Sequence, residues 1–255
     1  LSSYGMEHRE GGPVQGGNWD HGPLLDLIGR IHRIPGLERI RLGSLEPRII
    51  TEEFAEALAG LAKFCPHFHL SLQSGCDATL KRMNRHYTTE DYLRRCGILR
   101  KWFDHPAITT DVIVGFPGET QEEFEITREF LKKVHFYEMH VFKYSKRAGT
   151  RAALMPDQVP EQVKAQRSDV LLELEASMSR EYREHFAGSR VSVLFEDVAE
   201  VDGRKYITGH TPQYVKAALP VKDGEENVLS GQILCLDAVR LLTGELLEVR
   251  KMQDC

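Results

Sequence analysis

Ten residues, Asp111–Thr120 (DVIVGFPGET), constrain this chain more than any other stretch. Ile108, Val112, Ile113 and Val114 form a short apolar, β-branched run, the pattern of a parallel strand buried on both faces. Gly115 ends the run, Pro117-Gly118 makes a turn, and Thr120 with Glu123 three residues on reads as an N-cap with a capping box. Strand, glycine turn and helix make a βα unit, and α/β proteins bind ligands at the carboxyl ends of such strands. Gly115 has no Cβ, so a flat ligand can lie against its backbone. The same ten residues also suit an ordinary βα turn in any α/β domain.

The rest of the first half repeats this alternation. Ile40–Leu42, His67–Leu72, Ile108–Val114 and Tyr137–Phe142 read as strands, and Leu1–Tyr4 as the tail of another. Between them, helices are expected over Thr51–Phe64, from Asp77, over Thr89–Trp102 and over Glu122–Val134. Alternating strands and helices predict a parallel sheet. The strands are too few for a closed barrel, so the expected fold is α/β, a partial (open) β/α barrel of the TIM type. Residues 5–23 are rich in glycine and proline and read as a long mobile loop, followed by a helix through Leu24, Ile28 and Ile31.

The pattern then changes. Val163, Val170, Leu174, Met178 and Tyr182 recur at helical spacing and predict one long amphipathic helix, about Glu161–Phe186, closed by Gly188. Five short runs follow, Val191–Glu196, Tyr206–His210, Tyr214–Ala218, Gln232–Ala238 and Glu245–Arg250, separated by glycines. They predict a small all-β, OB-like barrel. The expected organisation is a barrel part over 1–160, a connecting helix over 161–188 and a β domain over 189–255.

The 255 residues are 41% hydrophobic and 28% charged, ordinary for a folded soluble chain. No apolar run is long enough to span a bilayer. Five scattered cysteines, Cys65, Cys76, Cys96, Cys235 and Cys255, point to a reducing, cytoplasmic compartment, and none makes a Cys-x2-Cys zinc or iron–sulfur signature. His67 and His69 share one strand face and read as ordinary histidines, so no metal site is expected within the chain. The net charge is −5, so any contact with nucleic acid must rest on a local basic patch.

Three strand ends besides Gly115 carry polar groups. Ser44 and Glu46 follow the first strand, Gln73, Ser74 and Gly75 the second, and Lys143, Lys146, Arg147 and Arg151 surround Tyr144 after the last. Arg82 and Arg85 lie on the helix after Gly75, where one of them can hold a carboxylate. Each group alone suits a solvated loop. Together they lie on one rim of the sheet and point to a ligand site.

With these motifs in order, the chain resembles the radical S-adenosylmethionine methylthiotransferases. The resemblance rests on Leu42–Pro47 (LGSLEP), Ser71–Gly75 (SLQSG), Leu80–Tyr87 (LKRMNRHY), Thr110–Thr120 (TDVIVGFPGET), Phe142–Thr150 (FKYSKRAGT) and Met155–Pro160 (MPDQVP). Leu1–Gly5, Arg39–Thr51 and His135–Lys146 resemble most the enzymes acting on threonylcarbamoyladenosine in tRNA. Gly209–Val215 (GHTPQYV) resembles the centre of the small RNA-binding barrel called TRAM.

The resemblance implies a reaction that replaces a C–H bond with C–S–CH3, S-adenosylmethionine as radical source and methyl donor, and two 4Fe–4S clusters. The cluster ligands would lie upstream of Leu1, so the chain is expected to be the C-terminal portion of a longer enzyme, inactive alone. It further implies adenine against Ile113, Gly115 and Phe116, polar contacts from Ser44, Glu46, Gln73, Ser74 and Gly75, and a carboxylate at Arg82 or Arg85. The implied partners are a tRNA anticodon stem-loop, met by Lys143, Lys146, Arg147 and Arg151 with Tyr206 and Tyr214 as stacking residues, and an electron donor. No membrane is implied. The alternatives are a methylthiotransferase acting on a ribosomal protein or another modified tRNA adenosine, and a non-enzymatic RNA-binding module.

Overall fold

Parallel pairing of three strands, each followed by a helix, organises the first half of the molecule. The computed structural model describes Tyr4, residues 22–222 and residues 224–252. It divides into two units, Leu1–Glu175 and Ala176–Cys255. The first holds α1 (Gly22–His32), α2 (Glu52–Ala59), β1 (His67–His69), α3 (Asp77–Arg82), α4 (Thr89–Trp102), β2 (Ala107–Val114), α5 (Gln121–Val134), β3 (Glu138–Lys143) and α6 (Arg151–Leu154). The long α7 (Glu161–Glu184) begins here, and the division falls inside it.

The sheet order is β1-β2-β3, all parallel, as the alternation predicts. Sequence dictates three of the helix starts: Thr51, Thr88 and Thr120 accept hydrogen bonds from the backbone of Phe54, Asp91 and Glu123, and the last two complete capping boxes. Side chains alternate across β2. Ile108, Thr110, Val112 and Val114 are buried against the helices, whereas Asp111 and Ile113 are half-buried on the other face. On that second face Ala107 and Thr109 are buried as well, so the expected burial on both faces holds for the first half of the strand and relaxes at Asp111 and Ile113, which line a cavity.

Two expected strands are shorter than their sequence suggests. Ile40–Leu42 is reduced to bridges, Ile40 with Phe64 and Leu45 with Leu70, since Pro47 has no N–H to extend a ladder and a 3-10 turn, Pro47–Ile49, takes the chain away. β1 ends at His69, and although backbone pairing with β2 resumes at Gln73, side chains interrupt the ladder between them. Thr110 Oγ1 donates to Leu70 O at 2.5 Å and accepts from Leu72 N at 3.0 Å. Tyr92 OH donates to Leu70 O at 2.9 Å, and Tyr87 OH to Ser71 O and Leu72 O at 2.8 and 2.9 Å. The expected Leu1–Tyr4 strand lies outside the described residues apart from Tyr4, and so does the loop 5–23 apart from Gly22 and Pro23, which begin α1.

The second unit contains β4 (Arg190–Val201), β5 (Arg204–His210), β6 (Lys216–Pro220), α8 (Glu225–Leu229), β7 (Ile233–Leu241) and β8 (Leu247–Arg250). They close into a barrel in the order β4-β5-β6-β8-β7, with only β6 and β8 parallel. Val193, Phe195, Ile207, Ala217, Leu236, Leu247 and Val249 fill it. Gly209 is required by closure: a Cβ there would lie 1.8 Å from Leu194 O of the paired strand. The short helix α8 has no apolar period, so nothing in the sequence predicts it. Among the described residues, no helix is long and apolar enough to cross a membrane.

Candidate active site

The carboxyl ends of β2 and β3 open onto a cavity of about 520 Å³. Gln73, Asp111, Ile113, Phe142, Lys143, Tyr144 and Arg147 are among its lining residues. The turn after β2 follows Ile113 in the chain but contributes no residue to the lining. Gly115 and Gly118 adopt φ of +72° and +77°, conformations that favour glycine. The Gly115 N–H donates to Glu119 Oε2 at 2.7 Å, and Arg167 NH1 donates to the same oxygen at 2.7 Å and to Glu119 O at 3.1 Å. Both side chains are buried. Burial pushes the Glu119 carboxyl above its ordinary pKa, while the Gly115 N–H and the Arg167 guanidinium pull it down. Glu119 stands four residues after the strand-ending glycine, and that spacing was its sequence signal; Arg167 had none, lying 48 residues further along.

Gly115 does present a bare backbone, and a side chain already lies on it. A Cβ at this position would sit 2.2 Å from Lys164 Cγ. Lys164 Nζ donates to Tyr144 O at 3.0 Å and lies 5.8 Å from the Tyr144 ring centroid. Lys164 also pairs with Glu161 at 3.1 Å, so a flat ligand on Gly115 would have to displace this lysine stem.

The remaining expected residues separate into two groups. Gln73 is 9% exposed, lines the cavity and holds φ of +75°, an uncommon strained conformation for a residue with a Cβ. Ile113 faces the same space, Ser44 is exposed, and Glu46 and Arg85 approach each other at 3.8 Å. The other group is spent on structure. Ser74 is fully buried, pairs with Thr127 Oγ1 at 3.2 Å and accepts from Cys76 N. Gly75 is needed by packing rather than by a ligand, since a Cβ would meet Phe130 Cβ at 2.9 Å and Thr127 Cα at 3.0 Å. Arg82 donates to both carboxylate oxygens of Glu123 and to Thr79, so it ties α3 to the start of α5. Phe116 is buried, edge-on to Tyr144.

The basic loop also divides. Lys143 Nζ pairs with Glu161 at 2.5 Å, whereas Lys146, Arg147 and Arg151 are exposed. In the second unit Tyr206 is 2% exposed and belongs to the core, so it offers no stacking face. Tyr214 is exposed, at φ of +67°, and stacks on His210 with centroids 4.2 Å apart and planes at 10°.

The described cysteines do not form a cluster site. Cys65, Cys76 and Cys96 are buried, and burial pushes the Cys65 thiol up and the Cys96 thiol up to about 12. Among the described residues, the group of three potential metal ligands that does converge is His69, Asp111 and His140. Spacings of 42 and 29 residues hid it from the sequence, which gave no reason to expect any metal site.

The model of the Radical SAM superfamily matches residues 15–131. Over 188 residues the chain is 44% identical to the tRNA-2-methylthio-N(6)-dimethylallyladenosine synthase of Acetivibrio thermocellus, covering 74% of this chain and 39% of that one. The chain belongs to the radical SAM methylthiotransferase family. It is 42% identical over 185 residues to the threonylcarbamoyladenosine tRNA methylthiotransferase MtaB of Bacillus subtilis, covering 72% of this chain and 41% of that one. It is also 36% identical over 237 residues to the dimethylallyladenosine synthase of Ehrlichia chaffeensis, covering 88% and 53%. This radical SAM chain thus spans about half or less of the length of these relatives. Coproporphyrinogen III oxidase of Escherichia coli shares the fold, with a TM-score of 0.50 at 18% identity over 61% of this chain and 36% of that one.

Proposed function

We propose that this chain is the C-terminal portion of a radical SAM tRNA methylthiotransferase that adds a methylthio group to the adenine ring of threonylcarbamoyladenosine beside the anticodon. The observation that carries this reading is the cavity of about 520 Å³ at the carboxyl ends of β2 and β3, lined by Gln73, Asp111 and Ile113, with the glycine turn braced by Glu119 and Arg167 next in the chain. S-adenosylmethionine, when bound with a reduced 4Fe–4S cluster, supplies the power to break the substrate C–H bond. Ile113 and Gly115 hold the adenine of the cofactor, and Gln73 fixes its polar edge. Arg85, opposite Glu46, is the better placed of the two arginines for a carboxylate, because Arg82 is engaged by Glu123. Lys146, Arg147 and Arg151 meet phosphates of the anticodon stem-loop, and the β4–β8 barrel acts as a TRAM domain with Tyr214 on His210 as its stacking face.

The threonylcarbamoyl substrate is supported by the identity to MtaB and by the polar Gln73 and Asp111 in the cavity wall. The identity to dimethylallyladenosine synthases favours a second reading, an apolar N6 substituent. The test is anaerobic turnover by the full-length enzyme on anticodon stem-loops carrying either nucleoside, read by mass spectrometry. Methylthiolation of the threonylcarbamoyl substrate alone is expected; conversion of only the dimethylallyl substrate selects the second reading.

A further inference from the structure

Three side chains from three strands converge in the lumen of the open sheet. His69 lies on β1, Asp111 on β2 and His140 on β3. Their chain neighbours Phe68, Thr110 and Met139 are buried against the helices, so alternation turns all three the other way. Parallel register sets Asp111 opposite His140 and His69 opposite Thr109. His69 Nε2 stands 3.3 Å from Asp111 Oδ2, and His140 Nδ1 stands 3.2 Å from Asp111 Oδ1. One ligand atom from each residue lies within 4.8 Å of the others.

These distances are those of a coordination shell. Ligands at about 2.0–2.1 Å from a tetrahedral ion are about 3.3 Å apart. Each histidine nitrogen stands at about that distance from one carboxylate oxygen, His69 from Oδ2 and His140 from Oδ1, so the two rings flank the carboxylate. His140 is the most exposed of the three, at 57%, and rotation of its side chain brings its nitrogen toward the oxygen that faces His69. The second shell is also in place. His69 Nδ1 is 3.0 Å from Thr109 Oγ1, whose hydroxyl can take the ring N–H. That tautomer leaves the Nε2 lone pair facing a carboxylate oxygen, and a cation between them satisfies both. Two neutral imidazoles and one carboxylate sum to −1, which suits a dication better than an anion.

We propose that His69, Asp111 and His140 bind one divalent transition-metal ion of the zinc class, with its open positions toward the cavity. Two nitrogens and one oxygen are borderline ligands, suited to zinc more than to magnesium or calcium. Asp111 also lines the cavity, so the ion stands where an oxygen or nitrogen of a bound substrate can complete its shell. This site uses no cysteine and does not depend on the proposed substrate.

The test uses the chain as it is, stripped with chelator and titrated with Co2+ under anaerobic conditions, followed by competition with Zn2+. The expected result is one equivalent of Co2+ with visible d–d absorption, displaced by Zn2+, and an affinity reduced at least about tenfold in His140→Ala and in Asp111→Asn. Circular dichroism checks the fold of each variant. Since His140 is exposed, His140→Ala decides the matter if Asp111→Asn does not fold. Three results overturn the proposal: no stoichiometric binding, an affinity unchanged in the folded variants, or a thiolate-to-cobalt charge-transfer band, which would place the ion on a cysteine.

Discussion

Arg167, on α7, donates at 2.7 Å to the same Glu119 oxygen that receives the Gly115 N–H, so the first half of a long helix locks the turn that follows β2. The guanidinium also caps the Glu119 carbonyl at 3.1 Å. Breaking one partner of such a buried pair leaves an uncompensated charge, at a cost of about 3–5 kcal/mol. Arg167→Ala is expected to lose that much in urea unfolding, and Arg167→Ala with Glu119→Gln less than Arg167→Ala alone. A loss below about 1 kcal/mol in Arg167→Ala would show that the pair does not hold the turn.

Arg82 and Glu123 predict a pH dependence. The hydrogen bonds from Arg82 hold the Glu123 carboxyl below its usual range. A depressed folded pKa adds stability above the unfolded pKa, near about 4.3, and that stability is lost as pH falls through the folded value. Both side chains are partly exposed, so the contribution is about 1 kcal/mol. Arg82→Ala is expected to be less stable than wild type by that amount at pH 7, with the difference vanishing in acid. A difference that persists unchanged at low pH would rule this linkage out.

Two glycines are expected to respond with opposite sign. Gly75→Ala forces a Cβ to within 2.9 Å of Phe130 and is expected to cost about 1–3 kcal/mol. Gly97, inside α4 and exposed, has nothing within 4 Å of its missing Cβ, so Gly97→Ala is expected to add about 0.5–1 kcal/mol through helix propensity. Paired chemical denaturation curves measure both; equal effects would refute the packing account of Gly75.

The basic loop is expected to carry tRNA in the full-length enzyme. Replacing Lys146, Arg147 and Arg151 with alanine should weaken binding and reduce the salt dependence by about 0.7–0.9 in log–log slope for each phosphate no longer neutralised. Adding Lys143→Ala should change little more, because Glu161 already engages that ammonium. Affinities at several salt concentrations decide this, and an unchanged slope means the loop does not touch RNA.

Short-range interactions made much of the fold legible in the chain. Threonine caps with an acidic residue three positions on set the helix starts of α4 and α5, β-branched runs set β2, and glycines spaced among short apolar runs set the five strands of the small barrel, because capping, alternation and turns act over a few residues. Tertiary packing settled what those residues do. Ser74 and Gly75 look like site residues at a strand end, yet the packing of α5 consumes both. Lys164 comes to lie on Gly115 and Arg167 reaches Glu119 because a helix 40 to 50 residues downstream folds back on the turn. His69, Asp111 and His140 meet only through the register of three parallel strands, a relation that sits in hydrogen-bonded pairing between distant segments and leaves no spacing to read in the chain.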